Sequence, residues 1–330
     1  MLHFPRMRSV RVFAPATVAN VGSAFDVLGF ALESPGDIVT ARSGSEPGVR
    51  VMEITGDAGR LPLEATKNTA SVSALALLHH LQERHSKKYQ EVGIELYIDK
   101  GLPIGSGLGS SSASTVAAVV ATNTLLGEPL SRAELLPFAM EGERVACGSA
   151  HADNVAPSLL GGFVLIRSYE PLDIVPLPSP QSAWATVITP SVELRTEDAR
   201  KVLKRTVPLG HAISQWGNVA ALVAGIYRND VALMGRALED KIVEPERAQL
   251  IPGFAEAKRA ALDAGAAGCT ISGSGPSIFA LSTSEAEASH IAEKMVAIFE
   301  AMKLPAMSHV SPINPHGARI LREECSDEVM

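Results

Sequence analysis

The stretch GLPIGSGLGSSSAS at 101–114 limits the possible folds of this chain more than any other feature. Gly105, Gly107 and Gly109 alternate with small or apolar residues, and TVAAVVATNTLLG follows, almost wholly apolar up to Gly127. That pattern predicts a bare-backbone turn feeding a helix buried on most of its faces. Backbone N–H groups and the positive end of the helix dipole converge on such a turn, a combination suited to phosphate oxygens. The plain alternative is a glycine turn with Ser110 to Ser112 as ordinary helix caps. Two common phosphate motifs do not fit. A Walker A loop ends in Gly-Lys-Ser/Thr, and no lysine lies between Gly101 and Ser114. A dinucleotide fingerprint follows a first strand, whereas these glycines follow a late one and the sixth position is Ser110. What remains is a nucleoside triphosphate on a lysine-free loop, with serine hydroxyls at the phosphates and metal.

The surroundings place this loop in a mixed fold. Strand patterns occupy Val10 to Phe13, Asp26 to Leu32, Asp37 to Ala41 and Val49 to Thr55, then a helix from Asn68 to Arg84 and a strand from Val92 to Ile98. Ser131 and Glu134 form a capping-box pattern for a helix running to Cys147, and a short polar stretch, GSAHADN, follows it. GGFVLI and AWATVIT read as strands, and Thr196 to Ala237 reads as helical with breaks at Pro208 and near Asn229. The last third alternates: helix 253–264, strand 268–272, the turn GSGP, strand 277–282, helix 284–303, and strands near 306–311 and 318–321. A length of 330 residues suggests about two domains, and 46% hydrophobic against 20% charged residues supports a substantial core. The first six residues and the acidic EECSDEVM ending are expected to be loose.

The net charge of −7 disfavours nucleic acid and anionic lipid as partners, while leaving room for a local cationic pocket. Cys147, Cys269 and Cys325 match no metal-ligand spacing, which points to reduced thiols and a cytoplasmic setting. No apolar run approaches the roughly 18 residues needed to span a bilayer, and no signal-peptide centre is present at the start.

Three separated motifs resemble the GHMP kinase family, named for galactokinase, homoserine kinase, mevalonate kinase and phosphomevalonate kinase. They are APATVANVGSAFDVLGFAL at 14–32, PIGSGLGSSSAS at 103–114 and TISGSGPSIFAL at 270–281. The resemblance implies an α+β, two-domain fold: an N-terminal ribosomal protein S5 domain 2-like unit over 7–165 and a C-terminal ferredoxin-like α/β sandwich over 166–330. Two further segments, AHADNVAPSLLGGF at 150–163 and KIVEPERAQLIPGF at 241–254, resemble the homoserine-phosphorylating branch. That implies transfer of the ATP γ-phosphoryl group to the side-chain hydroxyl of L-homoserine, a step of threonine biosynthesis. It also implies Mg²⁺ and a homodimer. The alternatives are another small-alcohol kinase of the family, such as mevalonate kinase, or a nucleotide-binding module without catalysis.

By the same resemblance, Pro103, Ile104, Gly105, Ser106, Gly107, Leu108, Gly109, Ser110, Ser111, Ser112 and Ala113 hold ATP, with Asn68 at the adenine. Ser111 and Glu143 hold Mg²⁺, and Asn154 and Arg200 complete the catalytic set. The acceptor contacts are Asn20, Asp26, His151, Asn154, Thr196, Arg200, Arg247, Gly273, Ser274 and Gly275. By their own chemistry these residues have plainer readings. Asn68 is a helix cap, Asn20 a turn residue, Glu143 a solvated helical glutamate, and the arginines surface charges. Gly273 to Gly275 alone would make a tight hairpin. Thr196 and Arg200 share one helix face, so hydroxyl and guanidinium can enter one cleft. Asp153 invites assignment as a general base, but the branch pattern implies none, with the γ-phosphate receiving the proton late.

Overall fold

Strands β1 (Met7–Ala19) and β2 (Leu28–Gly44) open the chain as an antiparallel pair. They carry the first sheet together with β3 (Gly48–Thr55), β4 (Gly93–Asp99), β5 (Phe163–Tyr169), β6 (Leu172–Leu177) and β11 (Arg319–Cys325). The structure, a computed structural model, describes residues 7–84, 86–148 and 151–325. The sheet order is β11-β1-β2-β4-β3, with β5 on the outer half of β2 and β6 on β5. The two expected strands at 26–32 and 37–41 are one long strand. Its first half pairs with Thr17 to Ala19 and with β5, and its second half pairs with Ser9 to Pro15 and with β4. Pro35 and Gly36 make it look interrupted in sequence without ending it.

Helices α1 (Thr69–Arg84), α3 (Ser110–Leu125) and α4 (Leu136–Cys147) pack together on this sheet, with the short α2 (Ser86–Tyr89) leading into β4. Helix α3 is buried at every residue except Ser111 and Leu125, as its apolar run requires. Glu134 Oε2 accepts hydrogen bonds from Ser131 N and Ser131 Oγ, so half of the capping box forms. The first turn there is a 3₁₀ turn at Ala133–Leu135. Beyond it, the end of the stretch GSAHADN, expected to be polar loop, is the start of α5 (Ala152–Leu160). Pro157 disguises this helix, because it removes the N–H that would bond Asp153 O. Gly29 lies against that carbonyl, where a Cβ would come within 1.8 Å of the oxygen.

The second sheet is antiparallel with order β10-β7-β9-β8, formed by β7 (Trp184–Pro190), β8 (Gly268–Ile271), β9 (Ile278–Ser282) and β10 (Ala306–Pro312). Helices α10 (Phe254–Asp263) and α11 (Glu285–Ala301) cover it, giving the ferredoxin-like sandwich. Between β7 and α10 run α6 (Thr196–Lys201), α7 (Leu209–Arg228), α8 (Val231–Ala237) and the single turn α9 (Glu244–Arg247). Helix α7 starts directly after Pro208, and Asn229, at φ 52°, closes it before α8.

The two layers share a core. Phe30 meets Phe163 at 4.8 Å and Phe279 at 5.7 Å between ring centroids, and Val187, Leu222 and Leu281 belong to the same buried cluster as the first sheet. Strands β6 and β11 lie beyond residue 166 in sequence but belong to the first sheet. Glu323 to Cys325, expected to be loose, extend β11 against β1. Residues 1–6 and 326–330 lie outside the described part.

Candidate active site

The glycine loop leaves β4 and meets α3 at the junction of the two layers. Gly105, Gly107 and Gly109 have φ of 72°, 78° and 65°, a conformation that only glycine adopts without strain. No side chain caps α3: Gly109 occupies the cap position, and no serine hydroxyl bonds the first-turn amides. The plain capping role for Ser110 to Ser112 is therefore absent. Ser110 Oγ instead donates to Leu102 O at 3.2 Å.

The loop is held from both sides. Thr17 N donates to Leu108 O at 3.1 Å, while Ser272 Oγ donates to Gly107 O at 2.9 Å and Ser277 Oγ to Ser106 O at 2.6 Å. A Cβ at Gly107 would meet Gly275 O at 2.6 Å, and one at Gly109 would meet Thr17 Oγ1 at 2.2 Å. At Gly105 nothing comes nearer than Leu194 O at 3.9 Å, because that position faces the open cleft. The loop thus needs two of its glycines for packing and exposes the third.

Lys100 supplies the cation that the loop itself lacks. Its Nζ pairs with Asp37 and donates to Ser110 O and Ser114 Oγ, each at 2.8 Å. Asp37 also accepts from Gly101 N and Leu102 N, so the pair pins both ends of the loop. Burial raises the Asp37 pKa, with Lys100 opposing it.

The cleft along this loop has a volume of about 870 Å³. Ile104 to Gly107, Gly109, Ser110, Ser111 and Asn68 line it, together with Lys100 and Glu143. Pro103 faces a smaller adjoining pocket, and Leu108, Ser112 and Ala113 turn inward, fully buried. Ser111 Oγ and Ser112 Oγ both donate to Glu143 Oε2 at 2.8 Å, which overturns the reading of Glu143 as a solvated helical residue. Asn68 caps α1 through Ala70 N at 3.0 Å and ties its amide to Pro62 O.

At the other end, Asn20, Asp26, His151, Asn154, Thr196, Arg200, Arg247, Gly273 and Ser274 line the same cleft; Gly275 lies behind it, against Ile251. Asn20 sits at φ 68° and accepts from Asp26 N while donating to Gly273 O, joining the first and third motifs. Arg200 bonds both oxygens of Asp26, at 2.9 and 3.0 Å, and lies 3.3 Å from His151 Nε2. Burial lowers the His151 pKa, so a neutral ring faces the guanidinium. Arg247 is only 2% exposed and donates to Ala199 O and Gly273 O; burial, then the Arg200 charge, push it down to about 10, still cationic at neutral pH. The surface-charge reading fails for it. Both guanidinium groups stand near the Phe25 ring. Thr196 Oγ1 and Ser274 Oγ are 3.3 Å apart, and Thr17 Oγ1 donates to Asn154 Oδ1 at 2.7 Å.

Asp153 is a strongly perturbed acid at this end of the cleft. It is 3% exposed, and burial, then the charges of Asp26 and Glu143, raise its pKa to about 7. Its Oδ1 has no hydrogen-bond partner, nor do Arg200 Nε and Ser106 Oγ; all three residues line the cleft. Buried polar atoms are rarely left so, and three of the six such atoms among the described residues fall in this one cleft, a place where a ligand can supply the missing partners. Sequence reasoning did not find Lys100, Asp37, Thr17 or Phe25. Lys100 directly precedes the loop, which was the available signal.

The family model for the GHMP kinases N terminal domain matches residues 71–162, and that for the GHMP kinases C terminal domain matches 222–301. A homoserine kinase from Chlorobium phaeobacteroides is 51% identical over 96% of this chain and all of its own length. The crystal structure of homoserine kinase from Cytophaga hutchinsonii superimposes with a TM-score of 0.92, at 55% identity, over 97% of this chain and 100% of that one. The L. major mevalonate kinase shares the fold at a TM-score of 0.70 and 17% identity, covering 94% and 99% of the two chains. The chain belongs to the GHMP kinase family. Within that family, these two homoserine kinases match it over nearly their whole lengths.

Proposed function

We propose that this chain phosphorylates L-homoserine with ATP, giving O-phospho-L-homoserine and ADP for threonine biosynthesis. The observation that carries the reading is one cleft with a bare glycine loop and an uncapped helix start at one end and an acid set against two guanidinium groups at the other. The uncapped start of α3 and the bare face at Gly105 take the triphosphate, with Asn68 toward the adenine. Ser111 and Glu143 offer a hydroxyl and a carboxylate oxygen on one spot, a hard donor set that fits Mg²⁺ completed by phosphate and water. Bound there, Mg²⁺ would neutralise phosphate charge.

Homoserine is a zwitterion, and Asp26 and Arg200 satisfy each other in its absence. Their side chains are 28% and 40% exposed, so the pair is worth about 1 kcal/mol or less and opens cheaply. The substrate ammonium then takes Asp26, and the carboxylate takes Arg200 and Arg247. Asn154, fixed by Thr17, orients the hydroxyl, and Asp153 Oδ1 accepts its hydrogen bond. The hydroxyl oxygen attacks the γ-phosphorus as the bond to the β-phosphate oxygen breaks, the electron pair leaves with ADP, and the proton passes late to the transferred phosphoryl group. No protein base is required.

The chain works as a homodimer in the cytoplasm. Helix α7 exposes Leu209, Ile213, Trp216 and Tyr227, an apolar face that favours a second copy. A monomer in sedimentation velocity at micromolar concentration, or export in cell fractionation, would correct those two points. The activity is tested by ADP release with L-homoserine, mevalonate and shikimate. Homoserine should lead in kcat/KM by roughly a hundredfold or more. Preference for mevalonate, or ATP binding without ADP release for any acceptor, would overturn the proposal.

A further inference from the structure

Beneath the acceptor end of the cleft, a ring of contacts runs from Asp26 back to itself. Ser23, three residues before Asp26, is held by its carbonyl, which accepts from Gln215 Nε2 at 2.9 Å, and by its hydroxyl, which donates to Ala237 O at 2.9 Å. Gln215 Nε2 also donates to Asp240 Oδ1 at 2.8 Å, and Gln215 Oε1 accepts from Lys241 N at 3.3 Å. The Asp240 carboxylate then gathers three consecutive amides. Oδ1 accepts from Ile242 N at 2.8 Å and Val243 N at 3.0 Å, and Oδ2 accepts from Glu244 N at 2.9 Å. This fixes the start of α9, the single turn that ends in Arg247. Arg247 Nε in turn donates to Ala199 O, the residue before Arg200, and Arg200 closes on Asp26.

Gln215 and Asp240 are 8% and 7% exposed. Neither lines the cleft, so neither touches a substrate there. Their hydrogen bonds bridge the two backbone segments whose separation sets the distance between Asp26 and the arginines. The loop between Asn20 and Asp26 has Asn20, Val21, Gly22 and Asp26 at positive φ, and Gly22 presses against the Leu238 backbone. A loop in that conformation persists only when its surroundings over-determine it, and the buried Gln215 and Asp240 side chains, whose polar atoms are all hydrogen-bonded, do this with directional bonds.

We propose that Gln215 and Asp240 are positioning residues that set the spacing of the amino-acid clamp, and so the affinity for the zwitterionic acceptor, without touching it. This deepens the homoserine reading of the same site and rests on it. The glycine loop and Glu143 lie outside the ring, so nucleotide binding should be insensitive to it.

The test is steady-state kinetics of the full chain with Asp240→Asn, Gln215→Met and the double variant. Asp240→Asn turns an NH₂ toward Glu244 N, and Gln215→Met removes the bond to Ser23 O. The KM for homoserine should rise about tenfold or more in each, with KM for ATP within about twofold, and the double variant should cost little more than the worse single one. Gln215→Glu, which has at most one O–H and so cannot donate to both Ser23 O and Asp240, should raise the homoserine KM as Gln215→Met does. A purely structural role would lower active enzyme and melting temperature and leave both KM values unchanged. That outcome, or a homoserine KM within twofold of the parent in folded Gln215→Met, overturns the proposal. If Asp240→Asn does not fold, Gln215→Met decides the matter alone. Lack of homoserine turnover in the parent chain itself would instead sink the functional reading.

Discussion

Replacing Asp153 with asparagine should stabilise the protein progressively as pH rises. The wild-type carboxyl moves from an ordinary 3.8 to about 7 because it is buried beside Asp26 and Glu143. Its folded-state value lies above its unfolded one, so its favourable contribution is complete below about pH 4 and is lost as pH climbs through 7. A shift of about three units corresponds to about 4 kcal/mol between the protonated and ionised limits. Asparagine is nearly isosteric and does not titrate. Its stability relative to the parent should therefore improve by up to about 4 kcal/mol between pH 4 and 8, then level off. Urea unfolding at pH 4, 5, 6, 7 and 8 measures this through the difference in midpoints at unchanged slope. A difference that stays constant across that range would refute the argument. The same variant examines the proton route. If the hydroxyl proton goes to the phosphoryl group, turnover should stay within about tenfold of the parent. A loss beyond roughly a thousandfold would show that Asp153 takes that proton.

Lys100→Met should destabilise the chain by about 3–5 kcal/mol at pH 8, because it strands the Asp37 carboxylate among groups arranged for an ion pair. Chemical denaturation should show a smaller loss at pH 5, where Asp37 can protonate more readily. Gly107→Ala should lower the melting temperature by several degrees through its overlap with Gly275 O and Ser272 O. Gly105→Ala meets no neighbour and carries only the strain of its positive φ, about 1–2 kcal/mol, so it should lower the melting temperature less than Gly107→Ala while raising KM for ATP; equal effects of the two on ATP binding and melting would contradict the division of labour within the loop.

The local parts of this arrangement were legible in the sequence. Alternating glycines before an apolar run dictate a turn and a buried helix, and both are present at 103–125. The pairings were less accessible. Arg200 and Asp26 are 174 residues apart, and Lys100 and Asp37 are 63 apart, so no periodicity brings them together. Only the family resemblance could place Asp26 and Arg200 in one cleft, and it did not anticipate that they would bond each other. Helix α5 was hidden by Pro157, and β2 was divided in two by Pro35 and Gly36, because a proline marks a local restriction on the backbone whether or not an element ends there. Strand β11 carries no sign in its own residues of which sheet it joins.

That last strand has a consequence for biosynthesis. The ribosome releases β11 only after every other element has emerged, yet its partner, β1, is the first to appear. Until then β1 waits with one edge unpaired, a surface on which two nascent chains can join. An excised fragment ending near residue 165 would keep that raw edge permanently and would lack β6 as well. The half built on the first sheet is therefore a poor candidate for expression by itself, and a deletion of Arg319–Cys325 would be felt first in the sheet that β1 helps to form.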